Sequence, residues 1–291
     1  MDIRAVFAGL VFALMWSSAF TSARIIVTDA PPLMALALRF MISGVLAVMI
    51  ARWLGQSWRL TPLQWRATIL FGICQNALYL GLNFVAMQSI EASLAAIIAS
   101  SMPLLVALAG WLFVGQRVSA LGVAGLIAGF CGVVIIMGAR LGSGADLFGV
   151  GLCVIGVISL TVATMALRNA SSGGNFVMVV GLQMLVGSAV LWPAALLMET
   201  FAVTWSPKLV LAFVYTTLVP GLAATLVWFW LVNRIGAVKA ATFHFLNPFL
   251  GVAIAAVVLS ETLGLSDIIG VVIITMGILA VQLSRQGLHR H

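Results

Sequence analysis

Ten long apolar runs, joined by short polar links, limit what this chain can fold into more than any other feature of its sequence. A helix that crosses a bilayer needs about 20 mainly apolar residues, and each run is about that long. The predicted limits are 5–27, 33–53, 67–89, 92–114, 119–139, 148–168, 176–198, 208–233, 237–259 and 265–284. The sequence therefore predicts an all-α integral membrane protein with ten transmembrane helices.

The charge content supports a membrane rather than a soluble protein. Only 7% of the residues are charged and 63% are hydrophobic, whereas about 25% of the residues of a soluble protein are charged. The net charge of +7 would indicate nucleic acid as the partner of a soluble protein. Here the basic residues lie mostly in short loops, so topology explains them better, and we expect the lipid bilayer and no nucleic acid as partner. The apolar character continues along the whole chain, which disfavours a cleaved signal peptide.

Charge asymmetry between the loops orients the helices. If the N-terminus is cytoplasmic, the inner segments hold Arg4, Arg52, Arg59, Arg66, Arg117, Arg168, Arg234, Lys239, Arg285 and Arg290. The outer side then holds Asp29, Glu91, Asp146, Glu199, Glu261 and Asp267. Basic residues concentrate in cytoplasmic loops of membrane proteins, so we predict that both termini are cytoplasmic.

An internal repeat relates the two halves of the chain. When residues 79–134 are laid over 224–279 without a gap, small residues and prolines coincide. The matched pairs include Ala92 with Ala237, Ala95 with Ala240, Ala96 with Ala241, Phe84 with Phe229, Pro103 with Pro248, Gly125 with Gly270 and Gly132 with Gly277. We predict one five-helix repeat in 1–145 and a second in 146–291. An odd number of spans inverts the second repeat, which favours a transporter with its solute site in a central cavity.

Short segments in both halves resemble a known family. They are Pro103-Leu104-Leu105, Pro248-Phe249-Leu250 and Leu259-Ser260-Glu261-Thr262-Leu263, followed by Gly270 and Gly277. On these residues the chain resembles the EamA-type family of the drug/metabolite transporter superfamily, over nearly its whole length. It departs from that family at Gly115-Gln116-Arg117, where a Glu is usual. Overall it is most similar to the bacterial aromatic amino acid exporters of the family, which implies export of amino acids and related metabolites across the bacterial inner membrane.

Polar side chains form a stripe on the third predicted helix. Asn76, Tyr79 and Asn83 lie on one helical face, because residues three, four and seven apart share a face. Carboxamides and a phenol offer hydrogen bonds to an amino acid, and Tyr79 offers a ring for stacking. The alternative is that the asparagines only bond a neighbouring helix.

The ninth predicted helix carries His244 and Asn247 immediately before Pro248. A proline frees backbone carbonyls, and a histidine at membrane depth is the one plausible proton carrier of this chain. His244 and Asn247 are therefore candidate solute-binding residues. The alternative is that His244 is a packing residue whose hydrogen bonds are satisfied.

Further residues complete the candidate solute site and its hinges. Trp16 lies deep in the first helix, and Trp228 is in register with Asn83 in the repeat. Ser100 precedes Pro103, although a serine in a membrane helix often bonds only its own i−4 carbonyl. We predict helix kinks, with a role in gating, at Pro103, Pro220 and Pro248.

Two arginines are exceptions to this uncharged set. Arg24 is expected to reach the outer interface, and Arg39 to pair with a carbonyl or with Asp29. The alternative is that both attract anions at the outer mouth. Otherwise the candidates offer aromatic faces and neutral hydrogen bonders, which suit a zwitterion with an apolar side chain better than a phosphorylated solute.

Several motifs of other function classes are missing from the sequence. It contains no GxxxxGK[ST], HExxH or GxSxG pattern, so we expect no ATP hydrolysis, no enzyme activity, no metal and no cofactor. Since no Asp or Glu lies deep in a predicted helix, we expect passive or exchange transport.

The leading hypothesis is therefore an exporter of aromatic and other apolar amino acids or related small metabolites, which works by alternating access without ATP. The main alternative is a multidrug or cationic metabolite efflux transporter of the same superfamily. A channel-like pore and an intramembrane enzyme using His244 and Ser100 are the remaining alternatives. A monomer is favoured as the oligomeric state.

Overall fold

The computed structural model of the chain describes residues 3–116, 118–167, 174–236, 240 and 242–288. Ten helices in this part are long and apolar enough to cross a membrane, and the described residues contain no β-strand. The predicted all-α membrane fold with ten spans is thus confirmed. The residues predicted from the sequence that lie outside the described part are Arg117, Arg168, Lys239, Arg290, Ala237 and Ala241.

The ten spans are numbered here in chain order. They are α1 Ile3–Asp29, α2 Pro32–Trp53, α3 Pro62–Ala86, α4 Ala92–Val114, α5 Ala120–Gly142, α6 Leu147–Met165, α7 Phe176–Met198, α8 Pro207–Val232, α9 Thr242–Leu259 and α10 Leu265–Ser284.

The start of α3 differs from the prediction of residue 67. The helix begins at Pro62, because the Thr61 hydroxyl accepts from the backbone N–H of Gln64 and the Gln64 side chain accepts from that of Thr61. This reciprocal cap, with proline at the first helical position, stabilises a helix start. In the sequence, the charge of Arg66 marks the start of the apolar run at residue 67. A helix can begin in the interfacial region, however, several residues before its apolar part.

The chain packs into two compact units, and each contains helices from both predicted repeats. Unit 1 comprises Met1–Thr21, Ile90–Val150 and Val227–His291, and unit 2 comprises Ser22–Ser89 and Gly151–Leu226. A compact unit is therefore not the same set of residues as a predicted repeat, and the repeat limits of 1–145 and 146–291 stay a prediction.

Glycines bring α5 and α10 of unit 1 into backbone contact. A Cβ atom on Gly125 would lie 2.8 Å from the carbonyl oxygen of Gly277, and one on Gly132 would lie 2.9 Å from that of Gly270. Helices approach this closely in membranes where small residues line the contact. The α5–α10 pair is antiparallel, because the earlier glycine of α5 faces the later glycine of α10.

The pair α2–α7 of unit 2 is built in a similar way. Gly44 and Gly181 each leave room for the other's carbonyl oxygen, which a Cβ would approach to 3.0 Å. Glu199, just after α7, accepts from the first backbone N–H groups of α2 at 2.7 and 2.9 Å. Gln56, just after α2, accepts from Met178 N in α7 at 3.0 Å. A residue just after the end of each helix thus accepts from backbone N–H groups at the start of the other helix. These N–H groups have no partner within their own helix.

The six carboxylates of the described residues all lie at or beside helix ends. Glu261 accepts from the first N–H groups of α4 at 2.8 and 2.9 Å. Arg140 bridges Glu91 and Asp267 at 2.5 and 2.9 Å. Asp29, Asp146 and Glu199 complete the set. The acids therefore fix helix ends in place, and none lies in the middle of a described span.

Candidate solute site

Four spans contain residues that are not α-helical. A turn at Ser101 divides α4. A π-helix runs over Gly72–Tyr79 in α3, a second over Val219–Ala223 in α8, and a 3-10 helix over Thr242–Leu246 begins α9. Such stretches are frequent at functional sites. At membrane depth, irregular backbone is tolerated where protein or a water-filled cavity surrounds it.

The three predicted hinge prolines each lie at such an interruption. Pro103, Pro220 and Pro248 are each the second residue of a new helical segment, which begins at Met102, Val219 and Asn247 respectively. Proline suits this position because it lacks an N–H group that an α-helix would need. Each proline thus lies where a helical segment begins, and the kinks and their role in gating stay predictions.

Four aromatic rings of unit 1 form one cluster, which we call the aromatic cluster: Phe12, Trp16, Trp228 and His244. The ring centroid of Phe12 lies 5.8 Å from Trp16, 4.9 Å from Trp228 and 5.2 Å from His244. His244 lies edge-on to Trp16 at 6.0 Å and tilted against Trp228 at 5.1 Å. These separations are typical of interacting aromatic pairs.

The aromatic cluster has one buried ring and three partly exposed ones. Phe12 is buried, whereas Trp16, Trp228 and His244 are each partly accessible. Phe12 is therefore the buried member of the cluster, and the other three rings each keep some accessible surface. Phe12 was not predicted from the sequence, although its position one helical turn before Trp16 places both residues on one helical face.

A chain of hydrogen bonds fixes the polar edge of the aromatic cluster. The Ser17 hydroxyl donates to Asn247 Oδ1 at 3.4 Å, and Asn247 Nδ2 lies 2.9 Å from His244 Nδ1. Because the oxygen of Asn247 accepts from Ser17, its NH2 group donates to Nδ1 of His244. The neutral imidazole then carries its proton on Nε2.

The 3-10 segment is held against α1 by Phe243. The Phe243 ring occupies the place of a side chain on Gly9, since a Cβ there would lie 2.3 Å from Phe243 Cε1. This contact positions the adjacent His244 beside Trp16. Four predicted residues, Trp16, Trp228, His244 and Asn247, are thus brought together by the tertiary structure.

The polar stripe of α3 belongs to unit 2, and its members have different surroundings. Asn83 Nδ2 donates to Tyr79 O at 2.8 Å, and Asn83 Oδ1 accepts from Cys153 Sγ of α6 at 3.3 Å. Asn76 packs on Gly187, where a Cβ would lie 2.4 Å from Asn76 Cβ. Asn83 therefore links two helices, as in the alternative left open by the sequence, and its binding of a solute stays a prediction.

Other polar groups also bond carbonyls. The Ser100 hydroxyl donates to Ala96 O at 2.7 Å, which is the local bond common for serine in membrane helices. Arg24 donates to Met87 O. Arg39 donates from Nε to Thr216 O at 3.2 Å, so the expected pairing of Arg39 with a carbonyl is confirmed.

A family profile covers most of the sequence. The profile of the EamA-like transporter family matches residues 3–138 and again residues 147–283. The chain belongs to the EamA-like transporter family. It is therefore a transporter and a multi-pass membrane protein, and the resemblance stated from its sequence is confirmed at that level.

The names of individual relatives agree with the assignment of this chain as an EamA-like transporter. "Uncharacterized transporter YvbV" of Bacillus subtilis (strain 168) is 27% identical over 269 residues, covering 92% of this chain and 88% of that protein. "Uncharacterized inner membrane transporter YedA" of Escherichia coli (strain K12) is 26% identical and covers 95% of this chain and 90% of that protein. One crystal structure shares the fold with a TM-score of 0.71 at 21% identity, covering 98% of this chain and 100% of the other.

Proposed function

We propose that this EamA-like transporter exports aromatic and other apolar amino acids, or related small metabolites, by alternating access and without ATP. The observation that carries the proposal is the aromatic cluster: the partly exposed indoles of Trp16 and Trp228 lie beside the imidazole of His244, whose Nε2–H is a neutral hydrogen-bond donor. Indole faces stack on apolar or aromatic side chains, and a neutral donor binds a solute oxygen.

The positions of the described carboxylates narrow the solute class. They lie at or beside helix ends, so none of these described acids places a fixed negative charge at the rings to select a cation. A small amphiphile with an apolar side chain fits this surface better than a strongly charged or phosphorylated solute. We include Asn76, Tyr79, Asn83 and Ser100 in the proposed solute-binding set, with Trp16, Trp228, His244 and Asn247.

Alternating access rests on the predicted inverted repeat, which local features support. Under the offset of the sequence repeat, the two π-helices at Gly72–Tyr79 and Val219–Ala223 overlap. The left-handed residues Gly115 and Ser260, which end α4 and α9 at φ 66° and 58°, also coincide. Such agreement of backbone irregularities is expected if the two halves have a common structure.

The glycine contacts of α5 and α10 support an inverted relation in particular. Gly125 faces Gly277, and Gly132 faces Gly270. In the sequence repeat, Gly125 is equivalent to Gly270, and Gly132 is equivalent to Gly277. Exchanging equivalent residues therefore turns the Gly125–Gly277 contact into the Gly270–Gly132 contact. This is the pattern that a two-fold axis across an antiparallel helix pair produces.

We place the protein in the bacterial inner membrane with both termini in the cytoplasm, as a monomer. The name of the relative YedA includes that membrane, and the basic residues of the loops supply the orientation. Cysteine accessibility on each side of intact cells, at Gly55 after α2 and at Gly144 after α5, would test the predicted orientation.

Efflux of cationic compounds is the second candidate, and a specific observation favours it. Three partly exposed rings meet in one cluster, and aromatic faces attract cations without a carboxylate. The same rings would then select quaternary ammonium compounds over amino acids.

A solute panel in proteoliposomes decides between these functions. We expect saturable uptake and counterflow of phenylalanine, tyrosine, tryptophan and leucine without ATP. Preferential flux of a quaternary ammonium compound would favour the cation exporter, and unsaturable flux would indicate a pore. A proton gradient that changes accumulation in wild type but not in His244→Ala would assign proton coupling to His244.

The proposed tautomer of His244 leads to a paired substitution. His244→Gln places an amide N–H near the position of Nε2, whereas His244→Asn places one near Nδ1. We expect His244→Gln to keep flux within about threefold of wild type and His244→Asn to lose about tenfold, since only the former keeps the donor toward the solute. Equal losses in both variants would mean that His244 acts by packing alone.

A further inference from the structure

Arg39 is a charged residue inside a membrane-spanning helix. It lies about 10 Å of helix rise from the start of α2 at Pro32, and its side chain is only 6% exposed. A charge at this depth is expensive, so such residues mark functional sites unless a partner accounts for them. What Arg39 bonds therefore decides its role.

The Nε–H group of the Arg39 guanidinium has a structural role. Its Nε donates to Thr216 O at 3.2 Å. In an α-helix this carbonyl would accept from the backbone of residue 220, but Pro220 has no N–H group. Ser43 donates to the next carbonyl, Thr217 O, at 3.2 Å. Side chains of α2 thus compensate for the interruption of α8.

That task does not require a cation with five donors. Within the part of the chain that the structure describes, neither Nη1 nor Nη2 of Arg39 makes a hydrogen bond or an ion pair. The guanidinium lies over the ring of Phe40, with Cζ 5.1 Å from the centroid, which offsets part of the cost of the charge. A neutral amide would satisfy a single carbonyl at a lower desolvation cost.

The unused edge of Arg39 is not fully enclosed. Neither Nη atom is among the enclosed side-chain atoms of the described residues that lack a hydrogen bond, so both keep some accessible surface. A Cβ atom built on Gly221 would lie 3.1 Å from Thr216 O, 3.4 Å from Ser43 Oγ and 3.6 Å from Arg39 Nη2, so these three groups meet at the bare backbone of Gly221. The guanidinium edge is a group that binds carboxylate oxygens.

We propose that the Nη edge of Arg39, with Ser43 beside it, is a carboxylate-binding site in unit 2. Its ligand is the carboxylate of the transported solute, so the identity of the ligand rests on the proposed function. Arginine binds carboxylates through two parallel hydrogen bonds, and a single arginine suits one carboxylate better than a phosphorylated solute.

The test compares ligands with and without a carboxylate on purified protein. Wild type should bind phenylalanine at least about tenfold more tightly than phenylalaninamide, because a charge-assisted bond is lost with the amide. In Arg39→Gln the two affinities should agree within about threefold. Arg24→Gln is the matched control, since Arg24 bonds a carbonyl in the same unit, and it should keep the wild-type ratio.

A wild-type ratio retained in Arg39→Gln would overturn the proposal, as would a wild type that does not distinguish acid from amide. If Arg39→Gln does not fold, the ratio is measured in Arg39→Gln/Pro220→Ala against Pro220→Ala, because alanine restores the N–H group for Thr216 O. The same loss of the ratio is expected there, and its retention would overturn the proposal.

A third ligand separates this proposal from the proposed function. 3-Phenylpropanoate carries the carboxylate without the ammonium group. If it binds in an Arg39-dependent manner while no amino acid is bound or transported, the site stands and amino acid export is wrong. If amino acids are transported and their binding does not depend on Arg39, export stands and the site is wrong. If neither ligand binds, both proposals fail.

Discussion

Trp228→Ala is expected to lower aromatic amino acid flux about 30-fold, mainly through a higher KM. Trp228 contacts both Phe12 and His244 in the aromatic cluster, with centroids 4.9 and 5.1 Å apart. Loss of one stacking face and its apolar contact area is worth about 2 kcal/mol, and each 1.4 kcal/mol changes an affinity tenfold. Initial rates of counterflow over a range of phenylalanine concentrations would measure the effect.

Trp230→Ala is the matched control for this substitution. Trp230 lies on the same helix, is 43% exposed and is not one of the cluster rings. The control should keep flux within about twofold of wild type, because a single exposed side chain contributes little. Equal loss in both variants, or a lower melting temperature that explains the loss at position 228, would contradict a solute-binding role.

Gly277→Ala is expected to destabilise the protein by about 1–3 kcal/mol, the usual cost of overpacking. A Cβ at this position would lie 2.7 Å from Gly125 O and from both N and Cα of Gly129. All three atoms belong to the backbone, so no side chain can rotate away and α5 and α10 must separate. A melting temperature measured in detergent should fall by several degrees.

Two other glycines make this prediction specific. Gly138→Ala on α5 is the control, because nothing lies within 4 Å of its Cβ position, and alanine there should leave the melting temperature unchanged or raise it. Gly132→Ala, at the position equivalent to Gly277 in the repeat, should destabilise as Gly277→Ala does. If Gly277→Ala melts like Gly138→Ala, the close contact of the two helices is wrong.

The sequence alone was sufficient for the spans and for a short set of candidate residues. Apolar runs and loop charges are local properties, and a bilayer imposes the helix on each run because its backbone must bond internally. Polar residues in an apolar run are equally visible, so Trp16, Trp228, His244 and Asn247 could be selected before their contacts were known. The start of α3 was missed because a cap, rather than hydropathy, sets it.

The role of individual candidates depended on contacts that no local pattern contains. Asn83 looked like a member of a binding stripe, but its carboxamide joins α3 to Cys153 in α6. Nothing in Gly72–Tyr79 marks a π-helix, since the segment has no proline.

Tertiary packing therefore decided how the candidates are combined. Phe12 is apolar and was indistinguishable from any packing residue until α1, α8 and α9 brought it against three other rings. The sequence by itself determined which few polar and charged side chains lie inside the spans. Their partners were decided by which helices pack together, because a buried polar group takes its hydrogen bonds from neighbours that are distant in the chain.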